Sequence, residues 1–314
     1  MSLGSKLKIL KDRAHMFEQV RHFFAQKNVM EVDVPMLGKA APIDVHIDVM
    51  EIPLQGGERG FLHTSPEYAM KRLLSLGSGD IYQMSHVFRD GELGHLHNPE
   101  FTMVEWYRLG VPFEALIEET IELVHLFLTN LPVSYFSYRE ALIQFAGVDY
   151  LTASLADLLT CCHTHSLHLP KDAPQWSQDT LLQFIMGFIV EPRLDHLTVI
   201  KDFPAAQSAL ARTTMRNKEP VAERFEVYFK GIELANGFHE LTDAAEQRRR
   251  LHGQNEMRVK MGKSLLPLDE NFLEALETGL PDCCGVAVGF DRLMMLRHDK
   301  KCLEDVLPFS WKTI

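Results

Sequence analysis

Three glutamates stand at even intervals in "ERFEVYFKGIELANGFHEL" (223–241): Glu226, Glu233 and Glu240, each seven residues from the next. In a helix seven residues make two turns, and the acids would share one face. Lys230-Gly231 and Asn236-Gly237 interrupt a helix, and the Val, Tyr, Phe and Ile content favours strand. As a strand pair, Lys230-Gly231 makes a tight turn and sets Glu226 opposite Ala235. Glu233 is then the diagonal neighbour on the same face, roughly 7–8 Å away. Asn236-Gly237 is either a second turn, with Glu233 opposite Glu240, or a bulge in one longer strand. The bulge is preferred, because one extra residue restores Glu233 and Glu240 to one face and adds Asn236 and Phe238 to it. Two or three acids converge in either register, and like charges so placed raise each other's pKa. Such a group is either a solvated acidic edge or a site for a divalent metal or a substrate ammonium group.

The elements that must position these acids are legible in outline. Apolar residues at 7, 10, 17, 20, 23 and 24 predict a helix over 6–28, followed by an alternating strand over 29–37 that closes at Pro35. A long helix feeding a short strand of this kind suits a dimer face. Strands are expected at about 81–89 and 100–108, with Phe101, Met103, Glu105 and Tyr107 on one face and a ten-residue polar loop between them. A loop that long often has a function. Helices are expected at 66–76, 112–130, 152–161 and 179–194, and a strand at 197–201. "CCGVAVGFDRLMMLR" (283–297) reads as a strand, a turn at Gly289 and a helix capped by Asp291. "LPKDAPQWSQ" (169–178) reads as a surface loop.

Composition bounds the function. The chain has 314 residues, 46% of them hydrophobic, with a formal charge of −11. A large core is available, and an acidic chain disfavours a phosphate backbone as its main partner. Five cysteines in two vicinal pairs plus one, with no signal sequence, fit a reducing cytosol. No apolar run reaches the length of a membrane span. "MSLGS" (1–5) reads as a cloning remnant or loose tail. "CCHTHSLH" (161–168) has metal-like residue types without Cys-x-x-Cys spacing, and "RRR" (248–250) reads as a solvated helix face. Cys283 and Cys284 read as strand packing.

Several segments carry a resemblance. "RAHMFEQVRHFFAQKNVMEVDVP" (13–35), "FRDGELGHLHNPEFTMVEWY" (88–107) and "GVAVGFDRLMML" (285–296) resemble motifs 1, 2 and 3 of class II aminoacyl-tRNA synthetases. "TSPEYAMKRLL" (64–74) and "GIELANGFHELTD" (231–243) resemble the lysyl-tRNA synthetase branch. Five ordered motifs spread from end to end are specific together, though each is weak alone. Motif 1 begins near residue 13, which leaves no room for the anticodon-binding domain of lysyl-tRNA synthetases. The pattern is similar to their shorter paralogues, the elongation factor P–(R)-β-lysine ligase family. The resemblance implies an α+β class II catalytic fold over 6–314, an antiparallel sheet flanked by helices and a motif 1 homodimer. It also implies a cytoplasmic ATP- and Mg²⁺-dependent ligase that acylates a lysine of elongation factor P with no stable nucleic-acid binding. A bare tRNA-charging core and a non-enzymatic lysine-binding regulator are the rivals.

The same resemblance assigns residues. Arg89 takes the α-phosphate and the substrate carboxylate, and Arg292 the γ-phosphate at a helix start. Glu226 and Glu233 match metal ligands. Phe101 matches the residue that stacks on adenine, and Asn98, Leu234 and Gly289 line the nucleotide site. His97 faces the same loop or is structural. Glu67 in Ser65-Pro66-Glu67 matches, with Glu240, the acids for the substrate's side-chain ammonium, helped by Tyr107. Ser65, Glu105, Asn236 and Phe238 complete the pocket, Glu105 as a candidate for the other amine. A selective site of this kind leaves buried charge unpaired when a neutral rival enters. Ala287 stands where lysyl-tRNA synthetases tend to have glycine; it either reshapes the pocket toward a β-amino acid or is a core alanine. Motif 2 of this branch usually has glutamate two residues after the arginine. Here Gly91 holds that position and glutamate follows as Glu92, so either Glu92 serves or the backbone of Asp90 and Gly91 reads adenine.

Overall fold

The computed structural model describes residues 3–314. In chain order the first segment gives helix α1 (Leu3–Gln26), strands β1 (Met30–Glu31), β2 (Leu37–Gly38), β3 (Glu51–Pro53) and β4 (Arg59–Leu62), and helix α2 (Glu67–Ser75). It continues with β5 (Ile81–Phe88), β6 (Glu100–Leu109) and α3 (Phe113–Leu128). Then follow β7 (Val133–Ser137), α4 (Tyr138–Ala141), α5 (Leu155–Thr164), α6 (Gln178–Ile185), β8 (Leu197–Pro204), β9 (Thr213–Arg216), β10 (Glu219–Phe229) and β11 (Ile232–His239). The last segment holds α7 (Ala244–Lys260), α8 (Glu270–Gly279), β12 (Cys283–Gly289) and α9 (Phe290–Arg297). The chain packs as two compact units: the described residues up to Thr129 with Glu240–Ile314, and Asn130–His239. Helix α1 begins at Leu3, within the stretch read as a tail; residues 1 and 2 lie outside the described residues.

In the first unit β5 pairs antiparallel with β6, β6 antiparallel with β12, and β1 parallel with β5. The strand expected over 29–37 is reduced to β1 and β2: the Val32 N–H still donates to the Tyr82 carbonyl at 2.8 Å, but 33–36 are not strand. Side chains alternate along β6. Thr102, Val104 and Trp106 face one way, and Phe101, Met103, Glu105 and Tyr107 the other. On the Trp106 side, Phe24 of α1 stacks on Tyr82 at 4.1 Å and meets Trp106 edge-on at 5.3 Å. Full burial of such a ring contributes about 1.5–3 kcal/mol, and it fixes α1 to one face of the sheet. The opposite face of β6 carries Glu105 and Tyr107.

The second unit is built on β10, antiparallel to β8, β9 and β11, with β7 parallel to β8. Its core gathers Tyr138, Leu158, Ile185, Ile189 and Phe203. Cys161 and Cys162 of the metal-like segment are buried in this core, and the Cys161 thiol donates to the Ala146 carbonyl.

Candidate active site

Helix α2 starts after Pro66 and puts Glu67 in its first turn, where a negative charge suits the helix dipole. One turn later Lys71 points the same way. Its Nζ lies 2.6 Å from Glu67 Oε1 and 2.5 Å from Glu240 Oε2. Lys71 and Glu240 are both about fully buried, at 1% exposure each. Glu240 Oε1 is buried with no hydrogen-bond partner. From β6, Glu105 joins them: Ser65 Oγ donates to its Oε2 at 2.6 Å, and Tyr107 Oη to its Oε1 at 2.7 Å.

Electrostatics follow from burial. Desolvation first, then the charge of Glu67, pushes Glu105 up to about 7. Desolvation lifts Glu240 to about 8 even though Lys71 opposes it. Burial alone would lower Lys71, but Glu240 and Glu67 outweigh it and hold the proton more firmly than usual. Strand β12 supplies the wall. Its register sets Gly285 opposite Tyr107 and Ala287 opposite Glu105.

Of the residues that the resemblance assigns to the nucleotide, Arg89 to Phe101 lie on or beside the β5–β6 loop, Gly289 and Arg292 at the start of α9, and Glu233 and Leu234 on β11. The Arg89 N–H donates to the Pro99 carbonyl at 2.9 Å, which anchors the loop's two ends. The Arg89 guanidinium lies 5.1 Å over the Phe101 ring, its Nη1 is 3.6 Å from Glu92, and its buried Nε has no partner. Arg292, in the first turn of α9, hydrogen-bonds His97 at 3.0 Å. What aims α9 is a buried triad. Asp291 takes the Arg13 guanidinium of α1 and the Thr102 N–H of β6 (2.7 Å), while Arg13 also donates to Thr102 Oγ1 at 2.8 Å. Asp291 is therefore not the cap expected from sequence; Gly289 holds that position and Asp291 is buried one step inside the helix.

In the second unit, β10 and β11 form the expected hairpin about Lys230-Gly231, both at positive φ (52° and 71°). The register differs by one: Glu226 faces Asn236, not Ala235, and Tyr228 faces Glu233. The extra residue is Leu234, so the bulge lies there and not at Asn236-Gly237. The parity argument holds all the same, and Glu226, Tyr228, Glu233, Asn236 and Phe238 share a face. Glu226 Oε1 accepts from Arg224 at 2.5 Å and Oε2 from Tyr228. Its pKa is raised by desolvation, against Arg224, with Glu233 adding to the rise.

A model of the family "tRNA synthetases class II (D, K and N)" matches residues 4–313. This chain belongs to the class II tRNA synthetase family. The elongation factor P–(R)-β-lysine ligase of Vibrio cholerae serotype O1 is 43% identical over 96% of this chain and 95% of the relative. The ligase of that name from Proteus mirabilis is 44% identical over 95% and 93%, and that from Haemophilus influenzae (strain Rd) 41% over 95% and 93%. The class II synthetase fold is the expected α+β one, with antiparallel sheet and flanking helices, and one parallel pair in each unit modifies that expectation.

Within this class II chain some assignments meet a rival use. Asn98 is buried and spends its amide on structure, donating to the Glu100 carbonyl at 2.7 Å and accepting from the Trp311 N–H at 3.0 Å. The Asp90 N–H donates to the Asp48 carbonyl and the Gly91 N–H to Asp90 Oδ1, both at 2.8 Å, so neither backbone donor is open for adenine. Sequence reasoning missed Lys71, Gly285, Arg13, Arg224 and Tyr228. Only Lys71 had a local signal, its i+4 spacing from Glu67.

For Mg²⁺, Glu226 and Glu233 offer the oxygen donors that ion prefers. Among the described residues no group of three or more His, Cys, Asp or Glu is placed to hold a metal. Two carboxylates with phosphate oxygens and water completing the shell is the usual Mg²⁺ arrangement, and the donor set is of that kind, with both Glu226 oxygens held by Arg224 and Tyr228 in this structure.

The raised acids give a stability prediction. A carboxyl whose folded pKa exceeds its unfolded value near 4.5 favours folding while protonated. That contribution is complete below about 4.5 and is lost as pH rises through about 7 and 8. The melting temperature of ligand-free protein is expected to fall by several degrees from pH 6 to 9, and Glu240→Gln to flatten the fall. Parallel melting curves for the two proteins would contradict the assignment.

Proposed function

We propose that this chain activates (R)-β-lysine with ATP and transfers it to a lysine side chain of elongation factor P. The observation that carries this reading is the unpartnered, buried Oε1 of Glu240 beside Glu67 and Glu105. A buried carboxyl oxygen with no protein partner is a place where an ammonium group would be met. The names of the relatives agree, and Ala287 beside Glu105 supports a pocket reshaped for a β-amino acid.

In the first step a substrate carboxylate oxygen attacks the α-phosphorus of ATP. The bond from that phosphorus to the bridging oxygen breaks, and pyrophosphate leaves with the electron pair. Arg89, with its open Nε, is assigned to the carboxylate and α-phosphate, where two anions must approach. Arg292 is assigned to the γ-phosphate, and Glu226 and Glu233 to Mg²⁺, which offsets phosphate charge when bound. Phe101, Glu92, Leu234 and Gly289 are assigned to the nucleotide. In the second step the neutral amine of the acceptor lysine attacks the acyl carbon, AMP leaves, and the nitrogen loses a proton as the amide forms.

We place the enzyme in the cytoplasm as a homodimer through the α1 region, which exposes Leu7, Met30, Met36 and Leu37. Its five cysteines are all free, and no described helix is long and apolar enough to cross a membrane. The test is ATP–pyrophosphate exchange with (R)-β-lysine against α-lysine, then the intact mass of added elongation factor P. Exchange that stops on chelating Mg²⁺ and a mass gain of one lysyl group are expected. Labelled lysine passing to purified tRNA and not to the protein would replace this reading with a tRNA-charging one.

A further inference from the structure

Lysine is the residue least suited to a dry interior, and Lys71 is the only lysine buried among the described residues. It stands among the acids that the proposed activity assigns to a cationic substrate: Glu67, Glu105 and Glu240. Lys71 reaches two of them, Glu67 at 2.6 Å and Glu240 at 2.5 Å. Glu105 is met by the neutral hydroxyls of Ser65 and Tyr107. Glu240 Oε1 meets nothing.

We propose that Lys71 is a built-in cation that holds Glu67 and Glu240 in place and cancels one of the three negative charges, so that the pocket takes a substrate with two ammonium groups. Glu105 and Glu240, which burial keeps protonated up to about 7 and 8, lose their protons to solvent as ammonium groups enter; the sum is then three minus one plus, which leaves two. The open places for charge are also two: Glu240 Oε1 and Glu105. The substrate's carboxylate is met elsewhere, by Arg89. This deepens the proposed activity and rests on it.

The selectivity follows from the interior's low dielectric. A substrate with a single ammonium group leaves one buried carboxylate uncompensated, and a neutral one leaves two. Sites whose buried polar groups are left unpaired by the wrong ligand reject it by about 10²–10⁵-fold. Without Lys71 the count would be three, and a diammonium substrate would no longer balance it. Lys71 is thus a positioning residue that touches the acids and not the reacting atoms.

The experiment is ATP–pyrophosphate exchange by the full chain with (R)-β-lysine, on wild type, Lys71→Met, Glu67→Gln and the double variant. Lys71→Met is expected to raise KM at least about 10-fold with kcat changed far less, since the adenylate chemistry is untouched. The double variant restores a count of two, so its KM is expected about 5-fold or more below that of Lys71→Met. It is likewise expected below that of Glu67→Gln, whose count is one. The second comparison stands even where Lys71→Met alone does not fold. Wild type is expected to use the mono-ammonium analogue 6-hydroxynorleucine at least about 10²-fold less well than a diamino acid. Folded variants whose losses simply add, with the double variant worst of all, overturn the charge count. So does a Lys71→Met enzyme with wild-type KM. No exchange by wild type with any diamino acid overturns the activity itself, and this inference with it.

Discussion

Arg89→Lys is expected to lower substrate-dependent ATP–pyrophosphate exchange by about 10²–10³-fold while the melting temperature stays within a few degrees. The reason lies in shape more than charge. Arg89 leaves the end of β5, its N–H tied to the Pro99 carbonyl, and its planar head lies 5.1 Å over the Phe101 ring. Nε is buried and unpartnered, and Nη1 is 3.6 Å from Glu92, beyond hydrogen-bond reach. The guanidinium fork is thus positioned by stacking while its donors wait for an anion. A lysine ammonium keeps the charge but offers neither the flat face nor paired parallel donors. Folding tolerates the change because no buried acid depends on Arg89. Exchange within about 3-fold of wild type would remove Arg89 from the phosphate-binding role.

The same residues show what a sequence does and does not carry. The Lys230-Gly231 turn was legible because two successive positive-φ residues demand a turn, and the β5–loop–β6 unit because its alternation is clean. The bulge was misplaced because Gly237 looked permissive. In the folded hairpin Gly237 pairs in register with Phe225, and the extra residue falls at Leu234, next to the turn. Asp291 looked like a cap because caps are local. Its partner Arg13 stands at the other end of the chain, and only packing of α1 against α9 brings them together. Lys71 stands at i+4 from Glu67, a spacing that says nothing of burial. Its burial depends on Glu240, which no local pattern predicts. The division into two units was invisible because β11 runs directly into Glu240, with no linker composition to mark the crossing.

Gly285→Ala is expected to abolish amino-acid activation, by 10²-fold or more, although the substitution adds one methyl group and lies on a regular strand. Gly285 faces Tyr107 across the β12–β6 ladder. A Cβ there would stand 2.3 Å from Tyr107 Cε1 and 2.5 Å from Glu240 Oε1. Neither neighbour can yield cheaply. The Tyr107 ring is buried at 2% exposure, with its hydroxyl fixed on Glu105, and Glu240 is buried at 1% and paired with Lys71. Overpacking of this kind typically costs about 1–3 kcal/mol of stability, which a chain of this size can survive. The larger effect is on the pocket. The methyl group must displace the oxygen proposed to meet the ammonium group, together with the ring that orients Glu105, and a misplacement near 1 Å can cost about 10²-fold in rate. Nucleotide binding, measured by fluorescent ATP analogue, is expected to be nearly unchanged, because Arg89, Phe101 and Arg292 do not touch Gly285. A soluble Gly285→Ala enzyme that exchanges pyrophosphate with wild-type kcat/KM would show that Glu240 and Tyr107 do not form the amino-acid pocket.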